Sequence, residues 1–298
     1  MTSPRFGHVV TAMVTPFHRD GAVNYDRAAE LAHYLTSHGS DGLVVAGSTG
    51  EGTALSDEEK LELFRVVASA VSVPVLAGST SSDTARSAAL TAAASTTGVA
   101  GILCTTPAYA RPSQSGIAAH FSAVAEATEL PIMLYDIPSR AGRKISAETT
   151  IAVARRYSHV VALKDASGDL AGAAHVSAQL GDGFDLYSGD DALTLPFISV
   201  GAIGVVSVAA HWAGVEFNAM VRAALAGDWA TARAMNEQLR DSCAFEGNDM
   251  YPNPIPSKAA MRHLGIDVGE CRLPLGDSDD VIAARAATVV AAIVDARG

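Results

Sequence analysis

The chain has 298 residues, 49% of them hydrophobic and 18% charged, and a net charge of −11. That length and apolar content support a large packed core and exclude an intrinsically disordered chain. The acidic balance argues against general binding to nucleic acid or to an anionic membrane.

Residues 1–6 carry no apolar signal core, and no uninterrupted apolar stretch reaches the ~18 residues of a membrane span. The expectation is a cytoplasmic protein without a membrane partner. From there short apolar runs alternate with amphipathic segments. The runs at 8–17, 42–47, 73–78, 101–107, 131–137, 160–165, 184–189 and 203–208 are rich in Val, Ile and Leu with little polar alternation. This pattern predicts eight strands buried on both faces, as in a parallel sheet. Helical patterns fill the gaps, among them 25–38, 57–71, 83–97, 115–128 and 147–157. Ser56 stands three residues before Glu59, a helix-start signal, and Ser146 opens the fifth helix in a looser version.

Eight strand–helix units in succession predict a closed (β/α)₈ TIM barrel. No Gly-x-Gly-x-x-Gly follows the first strand, which disfavours a dinucleotide fold. Helical pattern continues at 228–244, 257–264 and 279–296, so the chain divides into a catalytic barrel, 1–227, and a C-terminal helical extension, 228–298. The prolines of 252–256 predict a stiff connector inside that extension. The cysteines Cys104, Cys243 and Cys271 are scattered, with no zinc or disulfide spacing. Cys104 reads as core.

Catalysis in such a barrel takes place at the C-terminal ends of its strands. Strand two ends in Gly47-Ser48-Thr49-Gly50-Glu51-Gly52, which is either a plain turn or a nest of backbone N–H groups for a carboxylate. Strand four is followed by Tyr109 in a loop braced by two prolines, a position used for packing more often than for chemistry. Strand five places Tyr135 at the barrel mouth and Arg140 just beyond. Arg140 suits a substrate carboxylate or a surface ion pair. Strand six ends in Leu163-Lys164-Asp165-Ala166-Ser167-Gly168. An ammonium at the rim of an apolar layer loses hydration, which favours the neutral amine, and a neutral amine can attack a ketone. Strand seven ends at Gly189 beside Asp190 and Asp191, which read as capping or structural groups in the absence of matching metal ligands. His211 reads as structural.

As a set, Gly47-Ser48-Thr49-Gly50-Glu51, Tyr135-Asp136-Ile137-Pro138-Ser139-Arg140-Ala141-Gly142 and Leu163-Lys164-Asp165-Ala166-Ser167-Gly168 resemble the pyruvate-dependent class I aldolase family that contains dihydrodipicolinate synthase and N-acetylneuraminate lyase. The resemblance covers nearly the whole chain and implies the same barrel with C-terminal helices. It implies that Lys164 forms an imine with pyruvate and that Tyr135 relays protons. It further implies that Thr49 links Tyr135 to Tyr109 of a neighbouring subunit. Ser48 and Thr49 would hold the pyruvate carboxylate, Gly189 and the Val206 carbonyl would complete the pocket, and Arg140 would hold a second substrate. On the synthase side of the family that substrate is aspartate semialdehyde, joined to pyruvate in lysine and diaminopimelate biosynthesis. The alternatives are cleavage or dehydration of a sugar-derived 2-keto acid, or a catalytically idle ligand-binding relative. Neither a metal nor an organic cofactor is implied, and a homo-oligomer, a tetramer of paired dimers, is.

Departures from the family pattern include Ser48 for a threonine and Ala108 for a tyrosine at a subunit interface. Asp57, Lys60, Ser82, Arg86 and Ala108 stand where lysine-inhibited members bind the inhibitor. Two cations in that set imply weak inhibition by lysine.

Overall fold

A computed structural model describes residues 4–297. Residues 1–3, part of the N-terminal segment considered above, and Gly298 lie outside the described residues. Eight parallel strands form a closed barrel in chain order: β1 (Val9–Ala12), β2 (Gly42–Val45), β3 (Val75–Ala77), β4 (Gly101–Thr105), β5 (Ile132–Asp136), β6 (Val160–Asp165), β7 (Asp185–Ser188) and β8 (Gly204–Ser207). β8 closes on β1 through Val9–Val205, Val10–Val206 and Thr11–Ser207. Each of the eight expected strands is present, mostly shortened at the C-terminal end. The largest difference is at strand one, expected over 8–17. Its ladder with β2 stops at Ala12. Beyond it the chain bends over the barrel mouth, where the Thr15 hydroxyl donates to the Gly50 carbonyl at 2.6 Å.

The outer helices are α1 (Tyr25–Ser37), α2 (Asp57–Ala70), α3 (Thr84–Ala94), α4 (Gln114–Ala125), α5 (Pro138–Ala141), α6 (Ala147–Arg156), α7 (Leu170–Leu180), α8 (Thr194–Ser199) and α9 (Ala210–Leu225). The start signals act as expected. Ser56 and Glu59 form a reciprocal capping box on α2, and the Ser146 hydroxyl accepts from the Thr149 N–H on α6. The one-turn α5 went unread in the sequence. Pro138 opens it and Gly142, at φ 76°, closes it in the left-handed region.

The extension comprises α10 (Trp229–Phe245), α11 (Ile255–His263) and α12 (Asp280–Asp295). The Pro-rich connector is shorter than expected, because α11 starts at Ile255 and takes Pro256 into its first turn. A missing N–H costs nothing there. Three apolar regions hold the molecule together. Strands and outer helices share the largest. The barrel interior is filled by Phe6, Leu103, Met133, Tyr135, Tyr187 and Val206, among others. The extension packs Leu239, Phe245, Ile282 and Val290 onto Trp212, Phe217 and Met220 of α9, continuous with Val9 and Val205 of the barrel. It is therefore fused to the barrel wall rather than tethered to it. Among the described residues no helix is long and apolar enough to cross a membrane.

Candidate active site

One irregularity sets the site. Ile132 pairs with Val160, but Met133 pairs with Ala162, so β6 carries an extra residue at Val161. The slip brings Tyr135 opposite Lys164, where an unbroken ladder would have paired it with Leu163. Tyr187 flanks Lys164 on the other side. Lys164 is only 4% exposed, and its ammonium lies over the Tyr135 ring, 4.2 Å from the centroid. Among the described residues no carboxylate forms an ion pair with it. Burial brings its pKa down to about 8, opposed by the negative field of Asp191 and Glu246. The site thus holds an amine whose neutral form is accessible near neutral pH.

Burial pushes the Tyr135 phenol above the usual tyrosine range, opposed by the Arg140 charge and a hydrogen bond with Ser48. A free phenolate is therefore disfavoured, and proton exchange through neighbouring hydroxyls is the accessible route. Gly189 is required sterically. A Cβ there would come within 3.0 Å of Lys164 Cγ and of the Ala166 nitrogen. Val206, 1% exposed, lies in the same interior cluster as Tyr135.

The turn after β2 is tightly folded. Glu51 N–H donates to the Ser48 carbonyl and Gly52 N–H to the Gly47 carbonyl, while the Ser48 and Thr49 N–H groups find no acceptor among the described residues. Ala46 and Glu51 both take φ 54°, and a Cβ on Gly52 would stand 2.1 Å from the Ala46 carbonyl oxygen. Two free adjacent donors on a constrained turn are what a carboxylate nest needs.

The extension reaches into this turn. Asn253 Nδ2 donates to Thr49 Oγ1 at 2.9 Å, and Arg140 Nη2 donates to the Asn253 carbonyl at 3.1 Å. One residue thus ties together two groups that the sequence assigned to the site. Glu51 forms a buried ion pair with Lys258 of α11 at 2.7 Å and accepts from the Arg272 N–H at 2.8 Å. Asn253 escaped sequence reading because it lies between prolines in a segment read as a connector. Its only signal was an amide-bearing residue inside a stretch otherwise built for stiffness.

Tyr109 stands apart from the rest. It is 96% exposed, at φ 70°, and reaches no site residue of its own chain. Within one chain the Thr49 hydroxyl is bonded to Asn253, not to a tyrosine pair. A cavity of about 300 Å³ opens beside the nest, with Ser48, Thr106, Arg140, Lys60, Ser82 and Ala108 among its walls. Lys164 and Tyr135 do not line it. Of the two cations at the inhibitor positions, Arg86 is engaged by Asp57 through two hydrogen bonds of 2.9 Å, whereas Lys60 forms no ion pair among the described residues.

The residues read as structural are so. Asp190 caps the turn after β7, and Asp191 Oδ2 accepts from the N–H groups of Val208 and Ala209 at 2.9 and 2.7 Å. His211 Nε2 accepts from the Val14 N–H, and its Nδ1 lies 2.7 Å from the Val208 carbonyl. Burial lowers its pKa to about 4, so it stays neutral. Cys104 is fully buried, and burial holds its thiol above the normal range.

A closed parallel barrel with an unpaired, desolvated lysine at its mouth, a tyrosine beneath it and a carboxylate nest beside it has the layout of a class I aldolase. The Dihydrodipicolinate synthetase family matches residues 5–293. The 4-hydroxy-tetrahydrodipicolinate synthase of Moorella thermoacetica is 48% identical over 273 residues, 91% of this chain and 92% of that protein. The Bacillus subtilis enzyme of the same name is 44% identical over 272 residues, 91% and 93% of the two chains. Among solved structures, the dihydrodipicolinate synthase of Cyanidioschyzon merolae with lysine bound superposes with a TM-score of 0.94, at 42% identity, covering 97% of this chain and 99% of that one. The chain belongs to the dihydrodipicolinate synthetase family.

Proposed function

We propose that this chain is a lyase that condenses pyruvate with L-aspartate 4-semialdehyde to 4-hydroxy-tetrahydrodipicolinate, in lysine and diaminopimelate biosynthesis, through an imine on Lys164. The observation that carries the proposal is the buried, unpaired Lys164 ammonium against the Tyr135 ring, in a chain whose relatives bear the synthase name.

The neutral Lys164 amine adds to the keto carbon of pyruvate and water leaves, giving an iminium. That cation draws electrons from the adjacent methyl group, which loses a proton and becomes an enamine carbon. Tyr135 passes these protons, with the Ser48 hydroxyl next to it. The pyruvate carboxylate rests on the free N–H groups of Ser48 and Thr49, and the close approach at Gly189 and the Val206 carbonyl shape the remaining wall. Arg140 holds the carboxylate of the second substrate. The enamine attacks the aldehyde. The amino group of that substrate then attacks the imine carbon and releases Lys164. Charge changes are confined to groups whose burial already favours the neutral form, so each proton needs a short path rather than a strong base.

A cytoplasmic homo-oligomer belongs to this proposal. The exposure of Tyr109, held at a strained φ on a proline-braced loop, supports its insertion beside Thr49 of a neighbouring subunit in a tetramer of paired dimers. The division of labour is between the barrel, 1–227, which carries the chemistry, and the extension, 228–298, which fixes the Thr49 turn. Lysine is expected to inhibit weakly, since the buried Lys60 ammonium stands unanswered in the cavity wall. Steady-state assays with added lysine check this, and inhibition at low lysine would contradict it.

A substrate panel tests the activity. Turnover of pyruvate with aspartate semialdehyde is the expected result. Turnover only of sugar-derived 2-keto acids would replace the synthase assignment with an aldolase of another substrate range.

A further inference from the structure

The cavity of about 300 Å³ beside the Ser48 turn is left over by the chemistry of Lys164 and Tyr135, neither of which lines it. Its volume sits at the small end of the ~300–1,000 Å³ range of ligand pockets. Four charged side chains line it: Glu51, Lys60, Arg140 and Arg272. Two of them are answered. Glu51 pairs with Lys258 at 2.7 Å, and the Arg272 guanidinium donates to Glu59 at 2.8 Å. The other two have no acid among the described residues. Arg140 donates to a neutral acceptor, the Asn253 carbonyl, at 3.1 Å. Lys60, on α2, is 4% exposed, and its ammonium has neither an ion pair nor a hydrogen bond. Asp57, on the same turn of α2, is taken by Arg86. An enclosed ammonium without a counter-charge is costly, and a ligand anion in the cavity would remove that cost. Thr80 adds a donor to the wall. Its Oγ1 accepts from the Thr105 N–H at 2.9 Å, which leaves the hydroxyl proton free. Ala54, Ile137 and Leu275 add apolar surface.

We propose that this cavity binds a small dicarboxylate, with one carboxylate on Lys60 and the Thr80 hydroxyl and the other on Arg140, and that this ligand competes with the second substrate. Two unanswered cations call for two negative charges. A monocarboxylate leaves one cation unanswered. An inorganic dianion has no carbon chain to set against the apolar wall. Charge-assisted hydrogen bonds from Lys60 and Arg140 supply the affinity. The competition rests on the second-substrate role given to Arg140, whereas the binding itself does not.

Calorimetric titration of the full-length protein tests the binding without turnover, with succinate as the probe and propionate and inorganic phosphate as controls. Succinate should bind at one site per chain, about tenfold or more tighter than either control. Lys60→Met should weaken succinate about tenfold or more. It should also trap pyruvate as the wild type does and melt no lower than the wild type without ligand, since it removes a cation that nothing answers. Lys60→Gln should behave in the same way, and decides the case if Lys60→Met does not fold. Absence of succinate binding, equal binding by the Lys60 variants, or equal binding of propionate or phosphate would overturn the proposal. So would variants that melt lower and lose subunits, which would give Lys60 an acid of a neighbouring subunit as its partner. In steady state, succinate should raise the KM for aspartate semialdehyde with kcat unchanged, and the Lys60 variants should lose this effect. Lys60-dependent binding without a change in KM would keep the site and contradict the assignment of Arg140 to the second substrate.

Discussion

Lys164 and Lys258 are the same residue put to opposite uses. Both are almost fully enclosed, at 4% and 0% exposure. Each ammonium lies 4.2 Å from the centroid of an aromatic ring, Tyr135 for one and Phe17 for the other. In both, burial is the leading influence and lowers the pKa. They differ in what answers the charge. Lys258 meets Glu51 at 2.7 Å and donates to the Glu270 carbonyl at 2.9 Å. Among the described residues Lys164 pairs with no acid, and only the more diffuse negative field of Asp191 and Glu246 opposes its burial. Burial alone therefore does not make a nucleophile. A buried ammonium with a partner is a clamp, and one without a partner is a reactive amine.

The comparison breaks most sharply at Lys164 itself. Lys164→Arg keeps a cation but cannot form an imine, so turnover should fall on the order of a thousandfold or more while the melting temperature changes little. Retained turnover would remove the lysine from the chemistry. Lys258→Met should do the reverse. It strands the Glu51 carboxylate in the interior and should cost about 3–5 kcal/mol of stability in denaturant unfolding. Protein that stays folded at low temperature should still trap pyruvate. A Lys258→Met protein of unchanged stability would show that the clamp is idle.

Asn253→Ala tests the link between the two regions. It removes the donor to Thr49, and the loss of about 1 kcal/mol should appear as a roughly fivefold fall in kcat/KM with little loss of stability. An unchanged kcat/KM would confine Asn253 to connecting two elements. The smallest effect is expected at Ser56→Ala, which removes the α2 cap for about 1 kcal/mol of stability. It should leave trapping unaltered, because α2 supplies none of the groups assigned to pyruvate.

The barrel was legible because both-face burial writes itself into sequence as Val, Ile and Leu runs, and helix starts write themselves as Ser56 and Ser146. Lys164, Tyr135 and Gly189 were legible because each follows or closes such a run at the end where barrels place their chemistry. Their contact was not. It depends on the register slip at Val161, and nothing in the run Val160-Val161-Ala162 marks which residue is passed over. Asn253 and Lys258 were invisible for a related reason. Each acts across more than 50 residues of sequence, on groups whose proximity is set by how the extension packs on α9. Tyr109 was legible as a loop residue, but the fold of one chain gives it no partner.

The most direct test of the account is borohydride reduction of the protein with pyruvate, followed by peptide mapping. The account predicts one reduced pyruvyl adduct per chain, on Lys164, with Lys258 and Lys60 unmodified. It also predicts that the yield falls about tenfold per pH unit below the Lys164 pKa of about 8 as the amine is protonated. An adduct on another lysine, or none at any pH in folded protein, would contradict it.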